Sequence, residues 1–424
     1  MNRRNIWTLL VILISGASAW KVSANGFGLP DQDAFATARG EAFVATADNA
    51  SAIYYNPAGI TRLAGNNVRG GLNSVYYQPR FQPSDSGQTF NSSHNFAWLP
   101  QLFYTYTQQN FPASCGLGLY APFGGEMSWP QVQGFPRSVA ISGSLKYITI
   151  NPVMALRVSP SLSVGGGVML NYGKMSMDQG LQAFSPRSVN YFNFSGDGWS
   201  VGYNLGILWQ PDPKISFGAT FRSSARIDFQ GDTDFELNPG PYNSPAQRSA
   251  SANFTFPLTA VLGVSYRPTP KWNLEFDANC TDWSSFDTVT IEQSPPPVSN
   301  PLISNIPVNL NWQASWMYEF GVTRYFDSGW HVSAGYVFNQ NSVPNQYYTP
   351  LAADMDRHFF SVGTGFKGKT FDFDIAYQFG YGPGHSVNGS TSSTPTITGT
   401  SGQTADGTYK FVSHAVSVSV GMHF

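Results

Sequence analysis

A strict alternation of apolar and polar residues runs through most of this chain and constrains its fold more than any other feature. In the stretch 370–381 the aromatic and branched side chains fall on every odd position: Phe371, Phe373, Ile375, Tyr377, Phe379 and Tyr381. The stretch 414–424 repeats the pattern with valines. Successive side chains of a strand point to opposite faces, whereas a helix would mix the two sets. These segments are therefore predicted to be strands with one apolar face.

Segments of this kind follow one another from Asn67 to the last residue, and the connections between them alternate in length. Every second connection is a tight turn, and the intervening loops, such as 230–250 and 285–311, are long and rich in Pro, Ser, Asn and Gly. Outer-membrane barrels have short periplasmic turns and long external loops in this way. The predicted strands span 67–82, 95–108, 114–123, 141–158, 161–177, 196–210, 214–229, 251–267, 270–284, 312–326, 329–340, 355–367, 370–381 and 409–424. The pattern predicts an all-β fold, a transmembrane antiparallel β-barrel of about 14 strands.

The composition favours a membrane barrel over a soluble domain. Charged residues make up 11% of the chain, against about 25% in soluble domains. A net charge of −2 without basic runs argues against nucleic acid as a partner. A soluble β-sandwich would leave the loop asymmetry and the length of several strands unexplained. Tryptophans near predicted strand ends indicate interfacial belts, namely Trp129, Trp199, Trp209, Trp272, Trp283, Trp312 and Trp330.

The first 24 residues have the organisation of a secretory signal peptide. Arg3 and Arg4 precede a short apolar run, Ile6–Ile14, and small residues follow it. The run is too short to span a bilayer as a helix, so it is predicted to belong to a secretory signal peptide, with small residues at 17–19 and at 22–24. The two cysteines of the chain lie in separate predicted strands and are expected to be unpaired, namely Cys115 and Cys280.

Residues 25–66 do not share the strand pattern. Helical spacing predicts a helix over 33–47, and Asp48 is expected to cap a second short helix over 50–55. Pro57 would end that helix and Gly59 would allow the chain to reverse. We expect this segment to fill the lumen as a small helical hatch, with the barrel formed by 67–424. A periplasmic appendage is the alternative.

Two motifs in this segment resemble the start of the mature FadL/TodX-type transporters of the outer membrane. They are the stretch 25–29, which contains a Gly-Phe pair, and the stretch 49–60, which contains Asn-Pro-Ala. The resemblance implies a 14-stranded barrel with an N-terminal hatch. It also implies a signal peptide over residues 1–24, cleaved after Ala24, because the mature chains of this family begin close to their Gly-Phe pair. It also implies gating roles for two groups of residues, namely Asn25, Gly26 and Phe27, and Asn56, Pro57 and Ala58.

A further stretch, 118–127, lies at the end of the third predicted strand. A proline and two glycines disrupt ladder bonding and favour a kink. In the resembled family the third strand is kinked inward and opens the wall towards the bilayer. The residues concerned are Pro122, Phe123, Gly124 and Gly125. An ordinary strand end entering a loop is the alternative.

The resemblance implies passive transport of long-chain fatty acids or aromatic hydrocarbons, with sideways release into the bilayer. A fatty acid would require a basic partner, for which the candidates are Arg157, Arg222, Arg324 and Lys146. A general diffusion porin is the first alternative, but the long N-terminal segment and low charge oppose it. A lipid-modifying enzyme is the second, but the six histidines are scattered and no nucleophile motif is present. No catalytic residue, metal site or cofactor is therefore predicted.

The expected location is the outer membrane of a Gram-negative bacterium. The expected partners are a hydrophobic small-molecule ligand, outer-membrane lipid, lipopolysaccharide and the barrel assembly machinery. The terminal Phe424 on an apolar strand face suits recognition by that machinery. No nucleic acid is expected, and the protein is predicted to be a monomer.

Overall fold

A computed structural model describes residues 26–93, 96–108, 111–180, 191–236, 246–294, 305–391 and 403–424. Its strands belong to one antiparallel sheet. They are β1 (Gly65–Tyr77), β2 (Arg80–Pro83), β3 (Phe90–Asn91), β4 (Phe96–Thr107), β5 (Ala113–Tyr120), β6 (Gly124–Ser128), β7 (Ser142–Ser159), β8 (Leu162–Gly180), β9 (Tyr191–Asp212), β10 (Ile215–Arg222), β11 (Ala225–Glu236), β12 (Ala246–Phe256), β13 (Thr259–Tyr266), β14 (Trp272–Thr281), β15 (Thr288–Ser294), β16 (Ile306–Asn309), β17 (Ser315–Tyr325), β18 (Trp330–Asn339), β19 (Arg357–Lys367), β20 (Phe371–Val387) and β21 (Gly407–His423).

These strands make fourteen crossings within the described part of the chain and close into a barrel, as the sequence predicted. Seven crossings are interrupted and consist of two strands each, namely β1 with β2, β3 with β4, β5 with β6, β10 with β11, β12 with β13, β14 with β15, and β16 with β17. The first strand pairs with the last over its whole length, from Asn67 opposite His423 to Tyr77 opposite Ser413. Closure of this kind leaves neither the first nor the last strand as a free edge of the sheet.

The outer face of the barrel carries the apolar side of the alternation. On β9 the outward side chains from Trp199 to Trp209 are all exposed and apolar or aromatic. The two tryptophans mark the two ends of this apolar band, where aromatic belts form in membrane proteins. The inward positions between them include Asn204, which is buried.

The tryptophan prediction was right for only part of the set. Trp199, Trp209, Trp272 and Trp330 are exposed on the outer face. The other three are buried inside the molecule, namely Trp129, Trp283 and Trp312. They lie where crossings are interrupted or enter loops, so the chain turns their side chains into the aromatic core beneath the loops.

The helices of the described residues are short. They are α1 (Ala34–Ala38) and α2 (Ala52–Tyr55), with 3₁₀ helices at Pro57–Arg62, Trp283–Ser285, Asn345–Tyr347 and Pro350–Ala352. Each is too short or too polar to cross a bilayer. The two α-helices and the first 3₁₀ helix are buried within the barrel.

The helix predicted over 33–47 is much shorter than expected. The Asp33 side chain caps α1 by accepting the N–H of Phe35 at 3.0 Å. The helix ends at Ala38 because Gly40 and Glu41 both take left-handed conformations, with φ of 61° and 62°. Two successive residues of this kind cannot continue a right-handed helix.

The predictions for Asp48 and Gly59 were also wrong in detail. Asp48 does not cap α2 and instead lies 3.6 Å from the guanidinium of Arg267. Gly59 lies within a 3₁₀ helix and does not reverse the chain. Its hydrogen side chain is required by packing, because a Cβ atom there would lie 2.3 Å from the carbonyl oxygen of Ala47.

Candidate functional site

The N-terminal residues inside the barrel form two parts that are held in different ways. We call residues 31–63 the body and residues 26–30 the strap. The body packs across the lumen against inward-facing residues of the wall. The strap leaves the body and runs to the interrupted third crossing.

Carboxylates of β14 anchor the body through its backbone. Asp277 Oδ2 accepts the N–H groups of residues 43 and 44, at 2.8 and 2.9 Å. Glu275 Oε1 accepts those of residues 45 and 46, at 2.7 and 3.1 Å. The other oxygen of Glu275 bonds the buried guanidinium of Arg39 at 3.1 Å. These two side chains therefore accept the N–H groups of four successive residues of the body.

A second anchor is built around the buried guanidinium of Arg69. It pairs with Asp33 of the body and with two carboxylates of β20, Asp372 at 3.3 Å and Asp374 at 2.7 Å. His331 approaches Asp374 from the other side at 2.7 Å. Removal of one member would leave other charges buried without compensation, which is strongly destabilising. The arrangement ties α1 to β1 and β20 of the wall.

The Asn-Pro-Ala turn is a third attachment and lies away from the strap. The side-chain amide of Asn56 donates to the carbonyl oxygens of Val44, at 2.8 Å, and Ile207 of the wall, at 3.0 Å. Its oxygen accepts the N–H of Ala58 at 3.2 Å and so caps the 3₁₀ helix that begins at Pro57. The motif therefore joins two parts of the body to β9.

Glycines of the wall allow the body to approach this closely. At each of them a Cβ atom would lie within 3.0 Å of an atom of the body. Glycine permits backbone contacts that any larger residue would block. The wall glycines concerned are Gly116, Gly118, Gly165, Gly206, Gly218, Gly321, Gly335 and Gly363.

The strap completes the ladder at the point where the third crossing is broken. This crossing is interrupted at residues 121–123, between β5 and β6. The N–H of Leu29 donates to the carbonyl of Pro122 at 2.9 Å, and the N–H of Gly124 donates to that of Phe27 at 3.0 Å. The structure thus brings together the predicted residues of the N-terminus and those of the third strand.

The wall has a gap beside this interruption. Residues 102–107 of β4 pair with β5, and the ladder between these two strands ends at Leu102. Among the described strands, β6 pairs only with β7. Residues 96–101 of β4 therefore face β6 without ladder bonds. A bridge between Ser93 and Ser128 closes the outer end of the gap, with a 2.7 Å bond from Ser93 N to Ser128 O.

A cavity of about 800 Å³ lies above the body and extends to the gap. It is lined by the outward-facing Phe96 and Trp98 of β4 as well as by the inward-facing Leu99 and Gln101. A cavity that touches both faces of one strand must pass through the wall. Most of the remaining lining is apolar and includes Phe27, Leu29, Phe123, Met127, Leu145, Tyr147, Met175, Met177, Phe194, Phe254, Phe256, Phe286, Val289, Ile291, Met317, Val337, Leu351, Phe359 and Phe411.

Aromatic side chains hold the end of the strap against this cavity. The ring of Phe27 lies 5.3 Å from that of Trp312, 6.3 Å from that of Trp283 and 6.4 Å from that of Phe286. Gly26 has a φ of 50°, and a Cβ atom there would lie 2.7 Å from Trp312. The position therefore suits glycine on two grounds, backbone conformation and space.

Polar groups collect at one corner of the cavity. Asn339 and Arg357 lie directly opposite each other on β18 and β19. Within the described residues, Asn339 Oδ1, Arg357 Nε and Trp312 Nε1 are buried without a hydrogen-bond partner. Asp354 lies 3.3 Å from the guanidinium of Arg357 and accepts the N–H of Gly26 at 3.2 Å. Unpaired buried polar atoms are costly unless a ligand or water satisfies them. This corner is therefore equipped for a polar ligand end.

The four basic residues considered from the sequence lie elsewhere. Arg157 bonds the Thr61 carbonyl near the periplasmic turns. Arg222 lies over the ring of Tyr54 at 4.0 Å, and Arg324 over that of Trp272 at 4.9 Å. Lys146 borders the cavity but is exposed on the outer side of β7.

Arg357 was missed by the sequence reasoning, although a signal for it was present. Its neighbours on β19, Phe360 and Val362, are exposed on the outer face. Because side chains alternate along a strand, the odd-numbered Arg357 belongs to the inner face. The alternation of inward and outward positions along the predicted strand 355–367 would have placed this cation in the lumen.

The remaining predicted site residues lie outside the cavity or outside the described residues. Asn25 lies outside the described residues, as does the predicted signal peptide. Asn56, Pro57 and Ala58 lie at the wall and do not line the cavity. Both cysteines are unbonded, with Cys115 exposed. Among the described residues, no group of three or more His, Cys, Asp or Glu side chains is placed to hold a metal ion.

The barrel resembles several solved structures at low sequence identity. A Pseudomonas aeruginosa FadL homologue superposes with a TM-score of 0.81 at 18% identity, covering 94% of this chain and 100% of that one. The Ralstonia pickettii toluene transporter TbuX superposes with a TM-score of 0.70 at 17% identity, covering 94% and 99%. These likenesses establish the fold.

Sequence comparison identifies the family. The chain is 23% identical over 423 residues to the long-chain fatty acid transport protein of Salmonella typhi, covering 90% of this chain and 93% of that protein. The sequence model of the family described as "Outer membrane protein transport protein (OMPP1/FadL/TodX)" matches residues 15–424. The chain therefore belongs to this family of outer-membrane β-barrel transport proteins.

Proposed function

We propose that this protein carries hydrophobic small molecules passively across the outer membrane and releases them sideways through the gap between β4 and β6. The observation that carries the proposal is the apolar cavity lined by both faces of β4. Relatives that share the fold and family are a long-chain fatty acid transport protein and a toluene transporter. We infer the same two classes of cargo here, fatty acids or aromatic hydrocarbons.

The physics of apolar burial favours a sideways route. A cargo that enters the cavity gains about 25 cal/mol for each Å² of apolar surface removed from water. Release into water would require the same free energy again, whereas release into lipid keeps that surface dry. A passive route of this kind needs no energy input and no catalytic step. The other members of the family are transporters, and we propose no enzymatic activity.

The strap and the body have separate roles in this proposal. The strap would cover the inner side of the gap, because the N–H of Gly124 donates to the carbonyl of Phe27 there. It would move aside when cargo leaves. The body would act as a hatch that blocks water. We therefore assign residues 25–64 to the hatch, with Asn25, Gly26 and Phe27 at its moving end and Asn56, Pro57 and Ala58 at an anchor. The hatch is two residues shorter than expected because β1 begins at Gly65. Residues 1–24 would be the signal peptide and 65–424 the barrel.

The polar corner supplies a means of choosing cargo. Arg357 and Asn339 would bind the head of a molecule whose tail fills the apolar remainder. This arrangement favours a cargo with one hydrogen-bonding end, such as a fatty acid, over a hydrocarbon.

The other expected partners are lipopolysaccharide and the assembly machinery. The exposed Phe424, which follows β21, is consistent with recognition by that machinery. We further propose a monomer.

A reversible disulfide tests the sideways route directly. Gly28 and Phe123 face each other in an isolated antiparallel bridge, and opposed residues of that kind have Cα atoms within disulfide range. The variant Gly28→Cys with Phe123→Cys, made in a Cys115→Ala, Cys280→Ala background, should block uptake of labelled fatty acid when oxidised. A reductant should restore it.

The matched control uses the other isolated bridge of the same gap. Ser93→Cys with Ser128→Cys would lock the outer rim and leave the strap free. We expect this variant to retain most of its uptake when oxidised. Equal uptake by the oxidised and reduced strap variant, with the disulfide verified by mass spectrometry, would refute the proposed route.

A second experiment distinguishes the two classes of cargo. Arg357→Met keeps the length of the side chain but removes a charged hydrogen-bond donor, which contributes about 1.5–3 kcal/mol. Fatty acid uptake should therefore fall roughly tenfold or more, while toluene uptake changes little. Arg324→Met, which changes an arginine stacked over Trp272, is the control. Equal losses for both cargoes would show that Arg357 does not select the cargo.

A further inference from the structure

Four cations stand on the outer face of the barrel in two directly opposed pairs. Lys146 of β7 lies opposite Lys174 of β8. Arg80 of β2 lies opposite Lys410 of β21. All four side chains are exposed. Their neighbours in sequence, such as Tyr147 and Tyr409, are buried inside, so alternation directs the cations outward.

Both pairs lie just beyond the outer aromatic belt. The rings of Tyr172 and Trp199 lie 5.1 Å apart on β8 and β9, and Lys174 is the next outward residue after Tyr172. On β21 the belt includes His414, bonded at 2.7 Å to a tyrosine hydroxyl of β20, and Lys410 lies two outward positions further. Belt residues sit at headgroup level, so the four cations lie at the height of lipid phosphates.

Within the described residues, neither pair forms an ion pair with a carboxylate. Like charges directly opposite each other on a sheet are destabilising. Among the described residues, no carboxylate lies within 4.0 Å of any of the four cations, and Arg80 bonds only the neutral amide of Gln78. Asp197 faces Lys174 in the ladder without forming an ion pair. By contrast, Arg226 on the same outer surface pairs with Asp228 at 2.9 Å.

We propose that the two cation pairs bind phosphate groups of lipopolysaccharide in the outer leaflet. Each pair offers two charged donors about 5 Å apart at the backbone, a spacing suited to one multivalent phosphate. The pairs straddle the gap in the wall. Lys146 lies opposite Gly124 of β6, and Arg80 follows β1, the neighbour of β4. Bound lipopolysaccharide would therefore fix the lipid on both sides of the opening. The proposal depends on the outer-membrane location and not on the cargo.

The test replaces the pairs without changing side-chain length greatly. The variants are Lys146→Gln with Lys174→Gln, Arg80→Gln with Lys410→Gln, and all four together. The control is Lys367→Gln with Lys369→Gln, two exposed lysines at the opposite rim. Each purified full-length barrel is placed in phosphatidylethanolamine vesicles without additive, with lipopolysaccharide or with phosphatidylglycerol. The measurements are bound lipopolysaccharide per barrel and the temperature of heat-modifiable unfolding.

Lipopolysaccharide should protect the unsubstituted protein and the control equally. Affinity should fall about fivefold for each cation removed, so the quadruple variant should lose its bound lipopolysaccharide and its protection. The double variants give an intermediate loss and keep the test valid if the quadruple variant folds poorly. Undiminished binding by the quadruple variant would overturn the proposal, as would equal protection of the unsubstituted protein by phosphatidylglycerol.

Discussion

The body and the strap of the N-terminal segment share one lumen but are held by different forces. The body is fixed by acidic and basic side chains of the wall, with Glu275 and Asp277 on one side and Arg69 on the other. The strap is held by neutral backbone bonds to the interrupted crossing, by ring contacts of Phe27 and by one bond from Gly26 to Asp354.

This difference indicates which part can move. A hydrogen bond to a charged group contributes about 1.5–3 kcal/mol, and a neutral one about 0.5–1.5 kcal/mol. The strap can therefore detach at a modest cost while the body stays in place. In the proposed route, a division of this kind would let apolar cargo pass while the body still excludes water.

Loss of the β14 carboxylates should have the largest effect. Glu275→Ala with Asp277→Ala would free four peptide groups of the body and leave Arg39 buried without its partner, at a cost of about 3–5 kcal/mol. The body should loosen within a barrel that still shows heat-modifiable folding. Planar-bilayer recordings should then show a large, steady conductance that the unsubstituted protein lacks.

Glu292→Ala, which removes an exposed carboxylate of β15, is the control for that measurement. An unchanged conductance in the double variant would mean that the carboxylates do not hold the body closed. A large conductance in the unsubstituted protein would instead favour the general porin.

Phe27→Ala should weaken cargo binding without opening a pore. Phe27 lines the cavity and contacts three aromatic rings. Burial of such a side chain contributes about 1.5–3 kcal/mol, so the affinity for a fluorescent fatty acid should fall roughly tenfold. Phe217→Ala on the outer face is a matched control. A rise in conductance would contradict the assignment of water exclusion to the body.

Asn56→Ala should affect stability more than binding. Asn56 is buried, and its loss would leave the carbonyls of Val44 and Ile207 without a donor. Unfolding should become easier by about 1–3 kcal/mol, measured by the temperature of heat-modifiable unfolding. Cargo affinity should change little because the motif does not line the cavity. Asn309→Ala, at an exposed site on β16, is the control, and a selective loss of affinity in Asn56→Ala would assign the motif to gating.

The barrel itself was predictable from the sequence because a membrane barrel obeys local rules. Alternation assigned faces, and the loop lengths indicated strand pairing, so closure of β1 on β21 followed. The residues Gly26, Phe27 and Pro122 to Gly125 were predicted from a resemblance. The contact between these two groups joins segments about a hundred residues apart, and no local sequence pattern encodes such a contact.

Features inside the lumen were harder to predict because tertiary contacts decide them. The helix over 33–47 was cut short at Gly40, where a Cβ atom would lie 2.7 Å from the backbone of Tyr336. Trp283 and Trp312 resembled belt residues but turned inward at interrupted crossings. Asp48 had the right residue type for a helix cap, yet Arg267 is its partner. Each choice depends on a neighbour distant in sequence.

Glu41 is a buried acid that lies in the body and borders the cavity. Its buried carboxyl accepts the Tyr55 hydroxyl at 2.6 Å. Burial, and next the nearby carboxylate of Asp31, raises the pKa of Glu41 well above its usual value. The folded state therefore binds this proton more tightly than the unfolded state does. Its stabilising contribution is complete below the ordinary pKa of about 4.3 and is lost as the pH rises through the raised pKa.

Glu41→Gln should remove this dependence. Glutamine mimics the neutral acid, so the variant should equal the unsubstituted protein near pH 4 and be more stable at neutral pH. The gain is about 1.4 kcal/mol for each unit by which folding raises the pKa. Heat-modifiable unfolding between pH 4 and pH 9 measures it, with Glu292→Gln as the exposed control. Parallel pH curves for the two proteins would show that Glu41 is ionised in the body at neutral pH. The body would then depend on a further buried charge, and its contrast with the strap would be sharper still.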